Sequence, residues 1–195
     1  LLFFIYPWAI NRSLRFNARS LAWRDVRFDF NGTYFASVWY LFLLPVIGIL
    51  TLGLLIPFAS KGMRDYIAKN YSFGTAGFYC DASLGSYYGA GFKTVLLFLI
   101  LGAPVVGLAF VMLSGVLSQI LVGGMTEAEF YRLAADPSLS MAMYVLPVIL
   151  FFLFMVTGSY YRALTRNIMV NSLRLQGGVR FRSDVSGLVL GWIMV

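Results

Sequence analysis

Residues 94–126 read TVLLFLILGAPVVGLAFVMLSGVLSQILVGGMT, and none of these side chains is charged. Backbone polar groups that leave water must find partners within the chain, and a helix supplies them. About 20 apolar residues cross a hydrocarbon core of roughly 30 Å as a helix, and this run is longer. Residues 33–60 and 137–161 are also uncharged and long enough. Each predicts a membrane segment.

Composition points the same way. Of 195 residues, 60% are hydrophobic and 12% charged, against about 25% charged in an ordinary soluble domain. The chain opens and stops inside apolar runs, 1–10 and 187–195, which read as the end of one membrane helix and the start of another, hence as a fragment of a longer chain. Residues 1–10 lack the charged lead and small-residue cleavage site of a signal peptide.

The cations cluster. Arg12, Arg15, Arg19, Arg24 and Arg27 form one group; Lys61, Arg64 and Lys69 a second; Arg162, Arg166, Arg174, Arg180 and Arg182 a third. The linker 123–140 is net negative, with Glu127, Glu129 and Asp136 against Arg132. Lys and Arg in short loops stay cytoplasmic, so the clusters share that side and the linker lies outside. The net charge of +7 is read as this bias, with no nucleic acid as partner. Residues 92–122 then cross outward and 141–161 return.

Residues 34–59 are harder to place, because one crossing would put the second cluster outside. The stretch measures about 39 Å as a single helix, too little for two full crossings. Pro45 and Gly48 sit near its middle, with Gly53 and Pro57 later, and these residues break helices or permit close turns. A re-entrant pair of short helices fits; a single kinked crossing is the alternative. In the linker, Thr126 and Glu129 match a capping box, predicting a short helix on the outer membrane surface that stops before Pro137.

Each basic cluster leads into alternating apolar and polar residues, the mark of a strand with one buried face. Three repeat-like units result, about 11–33, 61–83 and 162–184. In the first, a loop at Arg24-Asp25 pairs Trp23 with Val26 and Leu21 with Phe28. In the second, a loop at 74–77 pairs Phe73 with Phe78 and Tyr71 with Cys80. In the third, a loop at Gln176–Gly178 pairs Leu175 with Val179 and Leu173 with Phe181. The apolar side chains of each hairpin then share one face, which a one-residue slip would destroy. An isolated hairpin is marginal in water, so each must cover its apolar face with another hairpin, helix ends or the lipid interface. Arg24, Arg27, Arg174, Arg180 and Arg182 are candidate contacts for lipid headgroups or a protein partner; otherwise they fix topology alone.

Pro7-Trp8 at a helix end, Thr51-Leu52-Gly53-Leu54 with Pro57, Arg64 with Asn70 and an aromatic hairpin, and Tyr161-Arg162, Asn167, Asn171 and Val179-Arg180-Phe181 together resemble the YjgN-like family of bacterial inner-membrane proteins, a domain of unknown function. The resemblance covers essentially the whole chain. It implies a multi-pass inner-membrane protein with repeated units, part of a longer chain, and brings no catalytic or ligand residues. Arg19 stands roughly where the other units carry Asn70 and Asn171, a departure from the pattern unless Asn17 takes that role.

No catalytic, cofactor-binding or metal site is read from these residues. With no His and one Cys, the commonest general base and metal ligand are missing. Gly85, Gly89 and Gly91 lack the context of a phosphate-binding loop and read as a flexible lead into a helix starting near Phe92. Asp25, Asp29, Asp65, Asp81 and Asp184 read as solvated counter-ions. The fold class expected is mainly α: a multi-pass α-helical membrane protein, one membrane domain over 1–195, with short cytoplasmic β-hairpins between membrane helices. The expected role is a structural or accessory subunit packing against a larger membrane complex, contacting lipids and a protein partner. A transporter or channel for an apolar or lipid-like solute is the alternative, and no enzyme chemistry has support.

Overall fold

A computed structural model describes residues 2–122, 128, 131–132, 135 and 137–187. The protein is mainly helical with one antiparallel sheet. The capping box and the outer surface helix fall largely outside the described residues, as does the apolar segment 187–195 beyond residue 187.

Helix α1, Leu2–Ser20, runs into strands β1, Ala22–Trp23, and β2, Val26–Phe30. After a short α2, Tyr34–Ser37, a π-helical segment Val38–Leu43 and α3, Leu44–Leu50, comes α4, Ile56–Asn70. It feeds β3, Tyr71–Phe73, and β4, Ala76–Cys80. Helix α5 spans Leu84–Val122, α6 spans Pro137–Ser172, and β5 follows directly at Leu173–Leu175. Three times, then, a helix bearing cations ends in a hairpin.

The hairpins do not stand alone. They pair edge to edge into one five-stranded sheet in the order β1-β2-β3-β4-β5. The joints are Phe28 opposite Phe73 and Phe78 opposite Leu175. The first hairpin has the expected register, with Trp23 opposite Val26 and the Phe28 amide donating to the Leu21 carbonyl at 3.1 Å. So does the third, where Arg174 faces Arg180 and the Leu175 amide donates to the Val179 carbonyl at 3.1 Å.

The middle hairpin corrects the expectation. Phe73 faces Ala76, not Phe78, across a two-residue loop. Gly74 takes φ +57°, which short hairpin loops require at their first position. The slip is two residues, so every side chain keeps its face.

In the segment 34–59 the chain turns at Gly53 and not at Pro45 or Gly48. The helix is unbroken from Tyr34 to Leu50, and Pro45 sits in the first turn of α3. The missing proline amide is accommodated by the π-helical turn just before it, where the Leu44 amide reaches the Trp39 carbonyl. The chain reverses later, at 51–55, where Leu52 and Gly53 adopt φ +53° and +88°. The Thr51 hydroxyl donates back to the Ile47 and Gly48 carbonyls at 3.0 Å. Residues 85–91 are helical, correcting the flexible lead. Ser83 Oγ accepts from the Ser86 amide at 3.2 Å at the start of α5, and a Cβ on Gly91 would stand 3.1 Å from Pro57.

The chain divides into two compact units. The first, Leu1–Phe92 with Tyr161–Gly187, holds the sheet and a core of Ala18, Phe30, Leu41 and Tyr66, flanked by Leu14, Phe28 and Tyr40. The second, Lys93–Tyr160 with Leu188–Val195, contains the apolar stretches of α5 and α6. Within it Phe98 and Phe154 lie 5.3 Å apart, and a Cβ on Gly102 would meet Leu153 at 3.6 Å.

Candidate functional site

Sheet pairing gathers the hairpin residues into one aromatic row. Ring centroids lie 6.1 Å apart for Trp23 and Phe73, 4.8 Å for Phe28 and Phe73, 6.3 Å for Phe28 and Phe78, and 6.0 Å for Phe78 and Phe181. Tyr71 packs on Phe30 at 5.2 Å. Leu173 stands opposite Cys80, and Leu175 opposite Phe78. Leu21, Trp23, Val26 and Val179 remain exposed at the rim.

The five arginines singled out from sequence divide between the two ends of the strand order. Arg24 lies over Trp23 at 4.7 Å, and Arg27 faces Ala22 on the first hairpin. At the other end Arg174 faces Arg180 and pairs with Asp81 at 2.8 Å. Arg180 and Arg182 are exposed. Arg19 takes its place in the first unit by pairing with Asp29 at 2.9 Å; this holds the Asp29 carboxyl below its usual range. In the third, Asn171 and Asn167 hold residues 183–185: the Ser183 amide donates to Asn171 Oδ1 at 2.7 Å and the Val185 amide to Asn167 Oδ1 at 3.0 Å.

Beneath the sheet lies a buried network that periodicity does not reveal. Asn11 Nδ2 donates to the Gly32 carbonyl at 3.0 Å and to Ser37 Oγ at 2.6 Å. The Tyr66 hydroxyl lies 2.8 Å from Ser37 Oγ and 3.2 Å from the Thr33 carbonyl oxygen. These contacts tie α1, α2 and α4 to the turn that follows β2. A Cβ on Gly32 would stand 2.5 Å from the Phe30 ring, so only glycine fits there.

A second cluster surrounds Arg64 on α4. Its Nη2 donates to Thr165 Oγ1 at 2.9 Å and its Nη1 to Met169 Sδ at 3.6 Å. Among the described residues no carboxylate pairs with it. Its Nε is buried without a partner, as are the Tyr87 hydroxyl and Asp65 Oδ1. Burial pulls the guanidinium below its usual range and pushes the Cys80 thiol up. Asp65, expected to be a solvated counter-ion, is instead partly buried and paired with Lys61. Sequence reading places Arg64 in a topology-setting cluster and misses its burial. A signal was present: Ser60 and Ala68, four residues to either side on the same helix face, are small. Ala68 is buried, and Ser60 Oγ accepts from the Tyr161 hydroxyl at 3.0 Å.

Arg64 gives the unit a half-buried cation, with the Thr165 hydroxyl, the Tyr87 hydroxyl and the Cys80 thiol around it. With its Nε unpartnered, the guanidinium can hold an anion or order water. Residues 1–195 match the family described as bacterial protein of unknown function (DUF898), and the chain belongs to that family, the YjgN-like one whose features it carries. No curated protein and no solved structure matches the chain.

Proposed function

We propose that this member of the DUF898 family is a multi-pass protein of the bacterial inner membrane that serves as a structural or accessory subunit, packed through its long helices against a larger membrane complex. One observation carries the reading. Leu84–Val111 and Met143–Ser172 are long and apolar enough to cross a membrane, yet only 6% and 17% of their most apolar stretches are buried. A core helix of a water-soluble domain would be covered by its own chain. Leu99, Val106, Phe110 and Phe151 are all exposed and need lipid or another subunit around them. The three helix–hairpin units are copies of one element, with their basic faces cytoplasmic.

The transporter reading draws support from the reversal at 51–55, because broken helices often line a pathway. The two arms of that reversal are closely packed, however. A Cβ on Gly62 would stand 2.6 Å from Leu44, and one on Gly48 3.4 Å from the Ile56 backbone. A pathway would need other walls, and the accessory role is preferred.

Topology is tested by replacing Cys80 with Ser and placing single cysteines at Arg24 or Arg132. A membrane-impermeant maleimide should label the second site in intact cells and the first only after permeabilisation. Labelling of both from outside would sink the arrangement. Cross-linking followed by purification in mild detergent should recover a defined complex; a lone monomer would exclude the accessory role.

A further inference from the structure

An open groove of 560 Å³ runs between α1 and the turn after β2, with Trp8, Arg12, Arg15, Phe16 and Arg19 on one wall and residues 31–34 on the other. We infer that this groove binds the phosphate headgroup of an anionic membrane phospholipid. Ile5, Trp8, Arg12, Arg15 and Arg19 succeed one another at steps of three or four along α1, so they form one stripe of the helix. The stripe is apolar at one end and cationic at the other. That is the pattern of an amphiphile: acyl chain along Ile5 and Trp8, headgroup among the arginines.

The charges support an anion. The only carboxylate the described residues pair with these three guanidinium groups is Asp29, which takes Arg19. Arg15 is fixed in place by donating to the Phe30 and Gly32 carbonyls, each at 3.3 Å. This leaves part of its donor fork unused. Arg12 lies over the Trp8 ring at 5.5 Å. Guanidinium groups match phosphate oxygens in a two-pronged geometry. The membrane is favoured over a free phosphate as the source by the apolar surface continuing up the same helix, where Ile5 is 50% and Trp8 52% exposed. A free ion has no use for that surface.

The inference rests on the membrane reading, but the two fail separately: cysteine labelling decides the topology, and a binding comparison decides the groove. The full chain in a neutral detergent is titrated with phosphatidylglycerol, with phosphatidylcholine, or with inorganic phosphate, and its melting temperature is followed. Phosphatidylglycerol should raise it well above phosphatidylcholine, and phosphate alone should not. Arg12→Gln should weaken the phosphatidylglycerol response about fivefold, as expected for one arginine near an anionic surface. Arg166→Gln removes the same charge from an exposed position on α6 and should leave the response unchanged. Arg12→Lys, which keeps the charge without the fork, should fall between and guards against a folding defect in the glutamine variant. Equal loss from Arg12→Gln and Arg166→Gln would reduce the effect to general electrostatics and overturn the site. A full response to inorganic phosphate, or none to phosphatidylglycerol, would overturn it as well.

Discussion

Tyr66 is the residue on which the first unit's polar interior turns. Its ring stacks on Tyr40 at 5.3 Å, while its hydroxyl reaches the Ser37–Thr33 pair. Removing one member of a buried hydrogen-bonded set leaves the others undersatisfied, at a cost of about 1–3 kcal/mol. Tyr66→Phe preserves the ring and should lower the melting temperature in detergent by that amount of stability. An unchanged melting curve would mean that water already serves Ser37. Cys80, the one cysteine, reports on the neighbouring cluster. Burial pushes its thiol up, chiefly by disfavouring the thiolate, with Asp65 adding to the effect and Lys61 opposing it. Because the thiolate is the reactive form, the alkylation rate should still climb about tenfold per pH unit beyond the ordinary thiol range near 8.5. A rate that levels off by pH 8.5 would contradict this. Arg64 shows the limit of sequence reading at this scale. A cation beside Lys61 and Lys69 looks like part of a solvated cluster, and only contacts made more than a hundred positions away, at Thr165 and Met169, place it inside.

At the scale of elements, local chemistry was legible and long-range pairing was not. The first and third hairpins could be registered on paper because loop residues and alternation agree within a dozen positions. The middle one slips by two because alternation is blind to even shifts. The strand joints Phe28–Phe73 and Phe78–Leu175 link residues far apart in the chain, and nothing in either strand names its neighbour. The loops themselves carry a test. Arg24 and Asp25 both adopt positive φ, +49° and +63°, where asparagine and glycine are at ease and other residues are strained. Asp25→Gly keeps the Arg24–Trp23 stacking and should stabilise the sheet edge by up to about 1 kcal/mol. Gly177→Ala is the converse. Gly177 has φ +113° with open space around it, so the added methyl meets no neighbour and the cost, about 1 kcal/mol or more, is purely conformational. Amide hydrogen exchange in β1–β2 and around β5 should slow in the first variant and quicken in the second. Faster exchange in the glycine variant, or no change in the alanine variant, would refute the turn assignment.

For the molecule as a whole, length and exposure have to be reconciled with the medium. Helix α5 has 39 residues and α6 has 36, about 58 Å and 54 Å at 1.5 Å per residue. A hydrocarbon core is roughly 30 Å thick, so as spanning helices both would extend well past it. The cations of α6, Arg162 and Arg166, lie in its last third, as they would if that part had left the bilayer. The family resemblance and the uncharged runs were readable at this scale because they depend on composition, and composition needs no partner strand. The strongest discriminator is a charge placed where the chain offers it no cover. Ile100 lies near the middle of the apolar stretch of α5 and is 61% exposed. On a water-soluble protein an exposed substitution of this kind stays within about 0.5 kcal/mol, and Ile100→Arg would accumulate and melt like the parent. In lipid, arginine near the centre of a spanning helix costs roughly 3 kcal/mol at insertion. Ile100→Arg should therefore sharply reduce the protein recovered in washed membranes, while Phe16→Arg, 71% exposed on α1 but beside the arginines, should not. Recovery of both at parental levels would mean that α5 meets water along its length, and its bare apolar surface would then need a soluble partner to cover it.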